Sequence, residues 1–117
     1  MHSEGINASG FTVNVAESDD ATIVSVSGEL DIATADRLTK ALAGIVVEPN
    51  HRLVVDLSDV EFMDSTGLRL LIGANRKAGE AGYRFAVVTG GSPAKRVFEL
   101  TKMDEHINVV DRLADAR

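Results

Sequence analysis

The feature that most constrains the fold is that segments with the two-residue hydrophobic period of a strand alternate along the chain with segments that have the hydrophobic spacing of a helix. Phe11, Val13 and Val15 alternate with polar or small residues, which is the two-residue period of a half-buried strand. Leu38, Leu42 and their apolar neighbours instead recur at the spacing of one helix face. Because strand-like and helix-like segments follow each other in turn, the sequence predicts an α/β domain with a largely parallel sheet.

The order of these segments predicts one domain. The 117 residues match a common domain size, and no repeat or low-complexity segment marks a boundary. An antiparallel hairpin is expected first, within a mixed, mostly parallel sheet of about five strands packed with about four helices. The predicted strands are 11–16, 23–26, 53–57, 83–88 and 107–110, and the predicted helices are 34–47, 68–78, a segment opening at Ser92 and Pro93, and a brief C-terminal one.

Local signals describe the entry to the first helix. Thr34 is a candidate N-cap, whose side-chain oxygen would accept a hydrogen bond from a backbone N–H of the first turn. Shortly before it, Gly28-Glu29-Leu30-Asp31 is predicted to be a loop that carries two carboxylates.

Composition excludes several classes of protein. The chain has no cysteine, which excludes a disulfide scaffold and suits a reducing compartment. Its 18 acidic and 12 basic residues give a net charge of −6, so a nucleic-acid phosphate backbone would be repelled. No segment approaches the length of a spanning helix. We therefore expect a cytoplasmic protein without direct nucleic-acid or membrane binding, and a flexible tail over residues 1–10.

Catalytic and cofactor sites are not expected. His2, His51 and His106 lack the spacing of metal ligands, and no glycine-rich phosphate loop with a lysine follows a strand. The segment around Ser65 lacks the first glycine of a nucleophile elbow. Glu29 has no accompanying nucleophile. The sequence thus predicts a protein that is not an enzyme and that has no catalytic residue, cofactor or metal.

The run Asp64-Ser65-Thr66-Gly67 lies where a loop turns into a predicted helix. One interpretation is that Asp64 or Ser65 only caps that helix. The other is a phosphorylation site, since a helix N-terminus offers free N–H groups and the positive end of the helix dipole. The residues alone leave both interpretations open.

A family resemblance adds to these signals. The run from Val60 to Leu68 resembles the signature of bacterial anti-sigma factor antagonists, which are STAS domains, and Gly28-Glu29-Leu30-Asp31 resembles the second hallmark of that family. The spacing of the two segments and the order of elements are also similar. The resemblance implies a STAS domain over residues 11–117.

The resemblance also implies a mechanism of partner switching. The unphosphorylated protein would bind an anti-sigma factor that is itself an ATP-dependent serine kinase, and a sigma factor would be freed. The kinase would then phosphorylate Ser65 and release the antagonist, and a serine phosphatase would reverse the reaction. The implied partner-binding residues are Asp31, Asp64, Thr66, Gly67 and Arg69.

Two positions differ from the family pattern. Arg69 stands where a small residue is common, so it could pair with a phosphate or a partner carboxylate, or remain solvated. Lys102 and Met103 replace a Gly-Leu pair after the third helix. Because lysine resists the left-handed conformation that glycine tolerates, this corner is expected to be built differently.

Other functions share the same domain. STAS domains also occur as accessory subunits of membrane transporters, and a small-ligand-binding domain is a further alternative. The complete Asp-Ser-Thr-Gly run favours the sigma-regulatory branch, because only there does the acceptor hydroxyl matter.

Overall fold

The strand-forming segments pair into one five-stranded sheet with the strand order β1-β2-β3-β4-β5. The computed structural model describes residues 10–116, so the predicted tail lies outside the described residues except for Gly10. The strands are β1 (Thr12–Glu17), β2 (Ala21–Leu30), β3 (Arg52–Met63), β4 (Arg84–Val88) and β5 (Val109–Val110), and the helices are α1 (Ala35–Ala43), α2 (Ser65–Ala81) and α3 (Ala94–Thr101).

The sheet is mixed and mostly parallel. β1 and β2 form the antiparallel hairpin that the sequence predicts, with Thr12 opposite Ser27 and Glu17 opposite Thr22. Each later strand lies parallel to the one before it and follows a helical crossover. The predicted fold class is therefore confirmed.

The two faces of the sheet are covered unequally. Val24, Val55 and Val87 belong to the main core, together with buried residues of all three helices. Val54 and Val88 alternate with them and therefore face the other way, where Ala116 packs against them. The three α-helices thus cover one face, and the C-terminal segment covers part of the other.

Several predicted boundaries were wrong. α1 ends at Ala43, not near residue 47, because Gly44 and the β-branched residues that follow are poor helix formers. The fourth predicted helix is only a 3₁₀ turn, Leu113–Asp115, since residues 111–115 are all exposed and have no apolar face to bury. Three α-helices are present among the described residues, not about four.

The corner after α3 also differs from its prediction. Lys102 itself adopts the left-handed conformation, with φ 60° and ψ 21°, and its N–H donates to carbonyls of the last helical turn. The corner is therefore built as a glycine would build it. The lysine bears a backbone strain of about 1 kcal/mol that glycine would avoid.

We expect Lys102→Gly to stabilise the domain by about 0.5 kcal/mol, because relief of the left-handed strain exceeds the added entropy of the unfolded chain. Chemical denaturation measures this free energy of unfolding. Lys102→Ala is the matched control, since it removes the side chain and keeps the strain. Equal stability of the two variants would contradict the assignment of strain to this backbone.

Candidate functional site

The two sequence hallmarks meet at the carboxyl end of two neighbouring strands. β2 and β3 stay paired as far as Leu30 opposite Met63, and the Asp64 N–H donates to the Leu30 carbonyl at 3.3 Å. Asp31 and Asp64 each follow the last paired residue of a strand, so their backbones lie side by side at one edge of the sheet. The predicted loop over 28–31 is wrong at its start, because Gly28 to Leu30 belong to β2.

Two irregularities in this pairing shape the site. The register shifts between Ser25 and Ser27 and again between Gly28 and Glu29, each time by one extra residue on β3, as in β-bulges. Gly28 has φ 93°, and a Cβ there would lie 2.9 Å from the Phe11 Cα, so only glycine fits. β3 stays paired with β2 through both bulges and ends at Met63, beyond its predicted end at residue 57.

The bulges also change which side chains of β3 are buried. Leu57, Val60 and Met63 are buried at every third position, and alternation by two is lost. Phe62 consequently faces outward and is 47% exposed. An exposed aromatic ring therefore lies two residues before Asp64.

Asp64 is the N-cap of α2. Its backbone is extended, with φ −108° and ψ −169°, and its Oδ1 accepts from the N–H groups of Thr66 at 2.9 Å and Gly67 at 3.3 Å. The capping interpretation thus holds for Asp64 and not for Ser65. This carboxylate therefore already occupies two of the backbone N–H groups that could otherwise donate to a phosphate on Ser65.

Ser65 is the first residue of α2, and its side chain is exposed. Within residues 10–116 its hydroxyl has no hydrogen-bond partner. Thr66 is half-buried, and its backbone N–H donates to Asp64, while its hydroxyl has no hydrogen-bond partner in the described part of the chain. Ser65 is therefore the accessible nucleophilic hydroxyl of the pair.

Gly67 is buried beneath the first turn of α2. A Cβ at this position would lie 2.8 Å from Leu30 Cγ and 2.9 Å from Met63 Cγ. The helix start therefore rests directly on the ends of β2 and β3. This contact fixes the position of Ser65 relative to Asp31.

The Asp31 loop is held by its own hydrogen bonds. Asp31 Oδ1 accepts from the Ala33 N–H at 2.9 Å, and the buried Thr34 hydroxyl donates to the Glu29 carbonyl at 2.6 Å. Thr34 Oγ1 also accepts from the Asp31 N–H at 3.0 Å. Thr34 is the N-cap residue of α1, as predicted, but its side chain makes no capping hydrogen bond, because this hydroxyl ties the loop together.

Arg69 lies one turn beyond Ser65 on α2, so the two side chains share a helix face. The arginine is exposed, and it forms no ion pair with any residue of the described range 10–116. It is therefore available to an anion placed at the helix start or in front of it.

The arrangement does not assemble a recognisable catalytic group. Within residues 10–116 no hydrogen bond joins the Ser65 hydroxyl to a base that could activate it. The same residues contain no cluster of three His, Cys, Asp or Glu side chains placed to hold a metal. No helix in the same range is long and apolar enough to cross a bilayer. The site is better described as an exposed surface that presents the Ser65 hydroxyl.

Comparison with known proteins decides the family. The STAS domain pattern matches residues 12–116. The chain belongs to the STAS domain family. The resemblance seen in the sequence is confirmed, and its hallmark segments are the ones that meet at the sheet edge.

Relatives of this STAS domain carry regulatory names. The anti-sigma-F factor antagonist RsfB of Mycobacterium tuberculosis is 36% identical over 106 residues, which cover 91% of this chain and 86% of RsfB. An anti-sigma-B factor antagonist of Staphylococcus epidermidis is 32% identical over 92 residues, covering 77% and 85% of the two chains. The crystal structure of an anti-sigma factor antagonist from Mycobacterium paratuberculosis has a TM-score of 0.84 and 36% identity, with coverage of 94% and 93%.

Sequence reasoning missed two apolar residues of this STAS domain. Ile32 follows Asp31 and is 81% exposed, and Phe62 precedes Asp64 by two residues. Both would be assigned to the interior from residue type alone. For Ile32, the sequence signal for exposure was its position alone between polar and small residues. The exposure of Phe62 depends on the bulges in β3, which no local sequence pattern reveals.

We expect Gly67→Ala to destabilise the STAS domain by about 1–3 kcal/mol, because the new methyl group overlaps Leu30 and Met63. Gly79→Ala is the matched control within α2, since a Cβ there meets nothing within 4 Å. It should stabilise the domain by about 0.5–1 kcal/mol through helix propensity. Thermal and chemical denaturation of both variants test this, and a shift of the same sign in both would refute the close contact.

Proposed function

We propose that this STAS domain is an anti-sigma factor antagonist that works by partner switching. Its unphosphorylated form binds an anti-sigma factor that is an ATP-dependent serine kinase, so that a sigma factor is released. Phosphorylation of Ser65 by this kinase dissociates the complex, and a serine phosphatase restores the binding form. The observation that carries the proposal is the exposed hydroxyl of Ser65 at the start of α2, which has no partner within residues 10–116.

The charges around Ser65 support an inhibitory effect of phosphorylation. A phosphate adds about −1.5 to −2 charges, and the carboxylate of Asp64 already accepts from the nearest free N–H groups. The phosphate would therefore not be neutralised by these donors. It would add to the negative potential of Asp64 and the neighbouring Asp31 and project into the contact surface.

The proposed partner surface combines charge with exposed apolar area. Asp31, Asp64 and Thr66 form its polar part, and Arg69 extends it along α2. Ile32 and Phe62 add exposed apolar contact area on either side of the acidic residues, and buried aromatic residues contribute strongly to many interfaces. Gly67 contributes indirectly, because it is buried and seats the helix that presents Ser65.

The proposal has consequences for other functions. The domain acts as a binding protein and not as an enzyme, needs no cofactor, and regulates transcription without contacting nucleic acid. Its place of action is the cytoplasm, where sigma factors work. An accessory role in a membrane transporter is the alternative within the same family, and capture from native lysate with and without ATP distinguishes an anti-sigma kinase from a membrane complex.

We expect Ser65→Asp to unfold at the same temperature as the parent, within about 2 °C, because it changes an exposed side chain at a helix start. Its affinity for the captured anti-sigma kinase should fall by about thirtyfold or more, since the added carboxylate must be desolvated in the contact surface beside Asp64. Ser65→Asn is the matched neutral control and should retain most of the affinity. Calorimetric titration and thermal melts measure the two effects separately.

Two results would contradict this switch. Equal affinities of the Ser65→Asp and Ser65→Asn variants would show that charge at this position does not control binding. Retention of the phosphate label on Ser65→Ala, with its loss on Thr66→Ala, would place the acceptor at the half-buried threonine. Mass spectrometry of the phosphorylated peptide reports this assignment directly.

We expect Asp31→Asn to weaken binding of the same kinase by about tenfold while the fold keeps its stability. The amide oxygen of asparagine can still accept from the Ala33 N–H, so the change removes the charge and leaves the loop intact. Asp31→Ala removes both and should also lose about 0.5–1 kcal/mol of stability. If Asp31→Asn binds as tightly as the parent, Asp31 serves only to hold its own loop.

A further inference from the structure

A groove of about 320 Å³ lies between α1 and α2, with the start of β3 as its floor. Leu42 of α1, Leu70 of α2 and Leu53 of β3 line it, so its surface is mainly apolar. Small-molecule sites commonly begin at about this volume and are lined in this way. The lining also includes Arg69, so the groove approaches the helix start that carries Ser65 but leads away from it along α2.

The helix residues beside the groove leave it open. Gly73 lies in the interior of α2, where glycine is among the least favourable residues. A Cβ at this position would meet nothing within 4 Å, so a larger residue could fill the space without a clash. Gly73 is exposed, so the missing side chain keeps the groove open to solvent at a cost in helix propensity.

The charged residues of the groove are all cationic. Arg69 and Lys77 line it, and none of its lining residues is acidic, although the chain as a whole carries a net charge of −6. Neither cation forms an ion pair with a residue of the described segment 10–116. The positions 69, 73 and 77 are each four residues apart, so one helix face presents a cation, an opening and a second cation.

We propose that this groove binds a small amphiphilic carboxylate, whose apolar body lies over Gly73 and whose carboxylate pairs with one of the two cations. The groove volume of about 320 Å³ lies at the lower end of the range for small-molecule sites. Such a volume suits a single acyl chain of medium length. Tyr83 also lines the groove, and its phenolic hydroxyl can donate a hydrogen bond.

Decanoate is the probe that we would titrate into the full chain, followed by amide chemical shifts. We expect saturable binding, with the perturbed amides in the segments around Leu42 and Gly73. Gly73→Leu should weaken binding by at least about tenfold, because its side chain fills the groove. Gly79→Leu, on the same helix with an equally free Cβ position, should bind within about twofold of the parent.

The head group and the cations are tested separately. Decylamine should bind at least about tenfold more weakly than decanoate, and one of the variants Arg69→Gln and Lys77→Gln should weaken decanoate by a similar factor. Equal binding of the two amphiphiles, or equal binding by Gly73→Leu and Gly79→Leu, would overturn the proposal. Absence of decanoate binding would also overturn it. If Gly73→Leu then weakened capture of the anti-sigma kinase, the groove would belong to a protein interface. The shift map of the parent decides the location even if a variant folds poorly.

Discussion

The rest of the site depends on the parallel pairing of β2 with β3 as far as Leu30 and Met63. This pairing aligns the ends of two strands that are far apart in sequence, and Gly67 lets the first turn of α2 rest directly on them. The position of Ser65 relative to Asp31 follows from these two contacts. A change in either would move the acidic residues apart without altering any of the polar groups themselves.

The same geometry explains how one phosphate could switch binding without unfolding the domain. The carboxylate of Asp64 accepts hydrogen bonds from the N–H groups of the first turn, so α2 is capped whether or not Ser65 is modified. An added phosphate then acts mainly on what approaches from outside, where charge repulsion is strongest at short range. Because the cap and the exposed serine are neighbouring but different residues, a modification of Ser65 would leave the cap of α2 in place.

α2 also links the site with the groove beside it. Ser65, Arg69, Gly73 and Lys77 follow one another at intervals of four residues, and therefore lie along one face of the helix. Arg69 lies next to both regions, so an anion that binds in the groove would compete with one at the helix start for the same guanidinium. This shared cation gives a physical route by which a small ligand could influence partner binding.

The sequence by itself determined the α/β class, the antiparallel hairpin at the start and the family to which the chain belongs, because these depend on local periodicity and on contiguous motifs. Only the tertiary structure decided that Asp64 is the cap, that Thr34 holds the Asp31 loop and that Phe62 is exposed. Each of these depends on where a second strand lies. The bulges in β3 are a further case, since the extra residues are defined only against the register of β2. A local pattern carries no information about a partner strand about thirty residues away in the chain, so pairing, burial and the shared edge emerge only when the sheet forms.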